Sequence, residues 1–141
     1  MSNAARFLEY ADAFELAFES DDWAVVAKYF APDAEYVAID GARAVGTDQI
    51  VEAFRTSVDS IDRRFDERIV KSLDPQLRED GSLFMNWEIT FKKTGAPDLR
   101  VVGTGEATYE GHRISKLVDQ LDDEASERMA AWMNDHGSKL A

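Results

Sequence analysis

The chain has 141 residues, 45% of them hydrophobic, one domain's worth and long enough to bury a core without staples. Sixteen Lys+Arg against 28 Asp+Glu leave a formal charge of −12, which argues against nucleic acid and against an anionic membrane surface, since both need a basic footprint. The absence of cysteine and the presence of two histidines, His112 and His136, exclude disulfide scaffolds, thiolate nucleophiles and thiolate metal sites; no metal and no cofactor are expected.

Phe7, Ala11, Phe14 and Phe18 recur at helical spacing and predict a first helix. Ser20-Asp21-Asp22 supplies cap oxygens for a second, with Trp23, Val26, Ala27 and Phe30 as its apolar stripe and Pro32 as its stop. A short strand is expected over Glu35 to Ile39, then a turn at Asp40-Gly41. Thr47 and Asp48 cap a third helix with Ile50, Val51, Phe54, Val58 and Ile61 inward. The period then changes to two. Strands are predicted over Phe65 to Leu73, over the alternation Leu83, Met85, Trp87, Ile89, Phe91, over Leu99 to Tyr109, and over Arg113 to Leu121. Glu110-Gly111-His112 is the last hairpin turn. A final helix from Asp122 carries Ala125, Met129, Trp132, Met133 and His136 on one side, and Gly137 closes it. The order predicts a single α+β domain over 1–141, helices packed on a mostly antiparallel sheet. No apolar stretch approaches the roughly 18 residues of a membrane span, and no secretory signal opens the chain. A cytoplasmic location is expected.

Asp22-Trp23 through Phe30-Ala31-Pro32-Asp33-Ala34, then Asp40-Gly41, Gly46-Thr47 and Ile50 to Phe54, resembles the nuclear-transport-factor-2-like superfamily, in its SnoaL-like branch of polyketide cyclase and ketosteroid isomerase-like proteins. The resemblance implies a cone-shaped curved sheet wrapped on the N-terminal helices, with an apolar pocket at one end. It spans isomerases, hydrolases, dehydratases, cyclases and binding proteins, so it leaves function open. At the isomerases' three positions, a tyrosine, a first-strand base and a penultimate-strand acid, this chain has Phe14, Ala38 and Gly105, with Glu106 one residue away. At the epoxide hydrolases' Arg-x-Asp it has Gly103 and Gly105, and only their last-strand aspartate is matched, by Asp119.

Asp119 stands on the same strand face as Leu117 and Leu121. Facing a concave apolar interior, it is a desolvated carboxylate suited to acid–base work; paired with an Arg or Lys, it merely finishes the strand. Gly103, Gly105 and Ala107 remove bulk from one strand face, which favours curvature and leaves volume opposite Phe14, Phe54 and Trp87. Tyr36, Trp87 and Tyr109 carry polar tips that need partners when buried, and one of them is a candidate donor to Asp119 or to a ligand carbonyl. The alternating charges of Asp62-Arg63-Arg64 and Asp66-Glu67-Arg68 read as a solvated, salt-bridged surface.

Three readings stay open. One is a cofactor-independent isomerase, dehydratase or hydrolase for a small apolar substrate, with Asp119 as acid or base and Phe14, Phe18, Tyr36, Phe54, Met85, Trp87, Gly105, Tyr109 and Leu117 around the ligand. The second is a binding protein without catalysis. The third is an oligomerisation module using the Trp132 and Met133 stripe, which packs either on its own domain or across a two-fold. A homodimer is the expected assembly.

Overall fold

The first helix, α1 (Asn3–Ser20), begins where the Ser2 hydroxyl accepts from the Ala5 amide and ends where Asp21 turns left-handed at φ 61°. Its buried stripe is Phe7, Tyr10, Ala13 and Ala17, with Phe14 and Phe18 half-buried alongside. The inner face is therefore centred on Tyr10 rather than on Ala11. A computed structural model describes residues 2–71 and 74–140.

The remaining elements are α2 (Ala24–Ala27), β1 (Phe30–Val37), β2 (Arg43–Val45), α3 (Thr47–Ser60), β3 (Glu67–Lys71), β4 (Gln76–Leu77), β5 (Leu83–Lys92), β6 (Leu99–Glu110), β7 (Arg113–Leu121) and α4 (Asp123–His136). The second helix is one turn, not the longer run expected through Phe30. Phe30 instead opens β1 opposite Ile114, and the Ile114 amide donates to the Tyr29 carbonyl at 2.7 Å. Sheet pairing outcompetes a helix that Pro32 would stop at once. Ile39, expected in that strand, falls in the turn that follows. The cap of α3 is Gly46 at φ 88°, a conformation glycine reaches without cost, and Thr47 uses its hydroxyl on the Ala31 carbonyl at 3.1 Å. Strand β3 is shorter than predicted; Leu73, its expected end, lies outside the described residues.

Seven strands make one mixed sheet in the order β2-β1-β7-β6-β5-β3, with β4 on β5. The β1–β7 pair is parallel and the others antiparallel. With helices at its N-terminus, a curved open sheet and a C-terminal helix, the chain is α+β. Among the described residues two apolar clusters form the core. The larger joins α1 and α3 to the sheet through Phe7, Tyr10, Phe30, Phe54, Met85 and Leu117. The smaller gathers Phe65, Phe91, Leu99, Val101 and Trp132. There α4 docks on its own chain, and the Trp132 Nε1 donates to the Pro97 carbonyl at 2.8 Å.

The glycines of β6 do not leave empty space. Gly103 pairs with Trp87 and Gly105 with Met85. A Cβ at Gly103 would stand 2.3 Å from Trp87 Cζ2, and one at Gly105 2.7 Å from Met85 Sδ. Each large side chain leans over its small cross-strand partner, so the glycines seat Trp87 and Met85. Among the described residues no helix is long and apolar enough to cross a membrane.

Candidate functional site

Strand β7 carries Asp119 opposite Gly105 of β6, and its other neighbour, β1, places Tyr36 opposite Leu117. Tyr36 and Asp119 are thus diagonal neighbours on parallel strands. The Tyr36 hydroxyl donates to Asp119 Oδ2 at 3.0 Å. No ion pair to Asp119 forms among the described residues, so the strand-finishing salt bridge is not how this carboxylate is held. Desolvation raises its pKa to about 6, against the opposing pull of the Tyr36 hydrogen bond. Burial, and then the Asp119 charge, hold the Tyr36 and Tyr10 phenols far above their usual range. Both phenols stay protonated, and Tyr36 is the one that donates to Asp119.

These groups open on a cavity of about 1120 Å³. Phe14, Tyr36, Phe54, Met85, Trp87, Leu117 and Asp119 line it together, as do Tyr10, Ala38 and Met129. Phe14, Tyr10 and Tyr36 all pack on the Phe54 ring, at centroid distances of 5.4, 6.5 and 4.9 Å, which makes one continuous aromatic wall. Phe18, Gly105 and Tyr109 are not on the lining. Phe18 sits under the Arg68 guanidinium at 5.0 Å, Gly105 backs Asp119, and the Tyr109 hydroxyl is buried without a partner.

The cavity lining also carries a charged cluster that local sequence does not signal. Arg68, on β3, has a side chain only 8% exposed, and Asp62 is 13% exposed. The Arg68 Nε donates to Asp62 Oδ2 at 2.7 Å, and its Nη1 to both Glu15 oxygens at 2.7 and 3.0 Å. All three residues line the cavity. Burial raises the Asp62 pKa, while Arg68 pulls it down. The reading of this stretch as solvated surface therefore fails at Asp62 and Arg68. Alternation in β3 turns Arg68 inward under α1, and the short 3₁₀ turn after α3 (Asp62–Arg64) brings Asp62 to meet it. Nothing in the local pattern of alternating charge signals this. Tyr10 had a usable signal, since it lies three residues from Phe7 and from Ala13 on the helix.

No family model matches the chain, and no curated protein does. Solved structures match along most of its length. It is similar to a candidate polyketide cyclase from Xanthomonas campestris pv. campestris, with 13% identity and a TM-score of 0.64 over 99% of this chain and 100% of that one. It is similar to TerC co-crystallised with polyporic acid, with 12% identity and a TM-score of 0.67 over 92% and 98%. A third is a hypothetical protein from Catenulispora acidiphila DSM 44928 with a ketosteroid isomerase-like fold, in complex with trimethylamine, at 19% identity and a TM-score of 0.62 over 83% and 88%. At these identities the likeness is one of fold: the chain shares the α+β fold of these structures, one of which is described as ketosteroid isomerase-like in fold.

Proposed function

We propose that the cavity binds a small, mainly apolar molecule and that Asp119 exchanges a proton with it, in cofactor-independent isomerisation, dehydration or hydrolysis. The observation that carries this reading is a carboxylate on the cavity wall with its pKa raised to about 6. A group titrating there is about 90% ionised at pH 7, yet basic enough to take a proton from an activated carbon or from water. Tyr36 fixes one carboxylate oxygen and leaves the other available. The Tyr10 hydroxyl, on the same lining, is a donor for oxygen charge that develops on a substrate. The wall carries more acids (Asp12, Glu15, Asp40, Glu52, Asp62, Asp119) than bases (Arg43, Arg68, Lys71), which favours an uncharged ligand over an anion. A candidate polyketide cyclase and a protein of ketosteroid isomerase-like fold among the structural neighbours support proton-transfer chemistry of this kind.

The test is a turnover panel with one substrate for each chemistry: a cyclic β,γ-unsaturated ketone, a β-hydroxy ketone and an aryl epoxide. One of them is turned over, with a rate that falls below pH about 6. Asp119→Asn lowers kcat by about 10²–10⁴-fold while an apolar fluorescent probe still binds. Unchanged turnover in that variant refutes the catalytic role, and probe binding without any turnover leaves a binding protein. For assembly we propose a homodimer, supported by Leu16 and Leu77, each 60% exposed. Sedimentation as a monomer at micromolar concentration ends that proposal.

A further inference from the structure

Resting on the proposal that the cavity holds a small apolar ligand, we infer that Arg68 is its specificity residue: Nη2 donates to an uncharged oxygen on the ligand, while Glu15 and Asp62 occupy and neutralise the rest of the guanidinium.

Arg68 belongs to an edge strand whose other described residues are exposed, yet its own side chain is 8% exposed and lies across the Phe18 and Phe14 rings at 5.0 and 5.9 Å. Guanidinium groups stay charged at any working pH and carry five donors in a rigid fork. Nε and Nη1 are committed to the two carboxylates. Nη2 has no partner among the described residues. Nor is it among the sealed, unsatisfied atoms, which include Trp87 Nε1 and Tyr109 Oη. It therefore meets open space, and Arg68 lines the cavity.

Charge decides which acceptor fits. One guanidinium held by two carboxylates forms a group of net charge −1 when all three are ionised, so a ligand carboxylate meets repulsion where a lone arginine would attract it. A carbonyl, ether or hydroxyl oxygen escapes that repulsion and still gains a charge-assisted bond.

The experiment compares three probes of one shape, 2-acetylnaphthalene, 2-ethylnaphthalene and 2-naphthoate, by equilibrium dialysis against the full chain. Wild type binds the ketone at least tenfold tighter than the ethyl compound, and the carboxylate more weakly than the ketone. In E15Q/D62N, which frees Arg68 of its counter-charges, 2-naphthoate becomes the tightest of the three. In E15Q/D62N/R68M, where the network is replaced by neutral side chains so that no buried charge is left alone, the ketone and ethyl compounds bind within about threefold of each other. The 13C carbonyl resonance of bound, labelled ketone in wild type provides a measurement that needs no variant, and it lies downfield of its position in alkane. Equal binding of ketone and ethyl compounds in wild type, retention of the ratio in the triple variant, or an alkane-like carbonyl resonance overturns the assignment of Arg68 and leaves the pocket intact. Failure of all three probes to bind at millimolar concentration overturns the pocket as well.

Discussion

Replacing Asp119 by Asn is expected to stabilise the protein, by an amount that grows with pH. The carboxyl has an ordinary pKa of 3.8 and one of about 6 in the fold, so between those values the folded chain binds more protons than the unfolded chain. Stability then falls as pH rises through that window, because a group raised in the fold favours its neutral form. The full difference is 6 − 3.8 = 2.2 units, or about 3 kcal/mol at 1.36 kcal/mol per unit. Between pH 4.5 and 7.5 the part expressed is about 2 kcal/mol. Asn titrates in neither state and still offers Tyr36 an acceptor, so the variant lacks this slope. Other carboxylates, such as Asp66, Asp80 and Glu88, have lowered values and the opposite slope, but they cancel when variant and wild type are compared at the same pH. Urea unfolding at half-unit steps from pH 4.5 to 7.5 measures the difference. A gain that is flat with pH, or absent at pH 7.5, refutes the claim that the cavity holds this carboxylate out of water.

Tyr36→Phe removes the hydrogen bond that opposes the desolvation of Asp119; the carboxyl midpoint rises further above 6, read by 13C NMR titration of labelled aspartate. Gly103→Ala puts a methyl 2.3 Å from Trp87 Cζ2 and 2.6 Å from the Gln120 carbonyl oxygen. Overpacking of this kind costs about 1–3 kcal/mol or more, and the near-ultraviolet circular dichroism of the displaced indole changes with it. Trp132→Phe keeps an aromatic ring in the second cluster but loses the bond to the Pro97 carbonyl. A loss of about 1–3 kcal/mol follows, seen as a lower urea midpoint at unchanged slope.

Periodicity made most of the architecture legible. The alternation from Leu83 to Phe91, the hairpin at Gly111 and the stripe of α3 depend on spacing alone, and spacing survives into the fold. What failed were boundaries set by distant partners. Phe30 scans as helix, and becomes strand only because Ile114, far along the chain, pairs with it. The site divides in the same way. Asp119 stands out as an acid on an apolar strand face, a local signal. Its partner Tyr36 sits on a parallel neighbour that no hairpin connects, so the bond between them needs the sheet order. Arg68 is the extreme case. Its neighbours in sequence, Glu67 and Ile69, are exposed, and its burial is created by Glu15 and Phe18 of α1.

The cavity gathers groups that stability alone disfavours. Asp119 costs free energy at neutral pH, although Leu117 and Leu121 on the same strand face show that an apolar side chain suits that face. The Trp87 Nε1 is buried without a partner, a loss of about 1–3 kcal/mol that phenylalanine would avoid. Arg68 needs two carboxylates brought from α1 and from the turn after α3 to be buried at all, where well-packed apolar residues are often the more stable choice. Any one of these is tolerable in a marginally stable fold. Together on one lining they are hard to explain by folding, and proteins keep such groups where function requires them. The lining also joins three kinds of group: an aromatic wall that suits a flat apolar body, a tuned carboxylate and a neutralised guanidinium. A cavity that only relieved packing would need no such set of groups, and replacing Asp119, Trp87 and Arg68 by apolar residues would then raise stability without altering what the cavity binds.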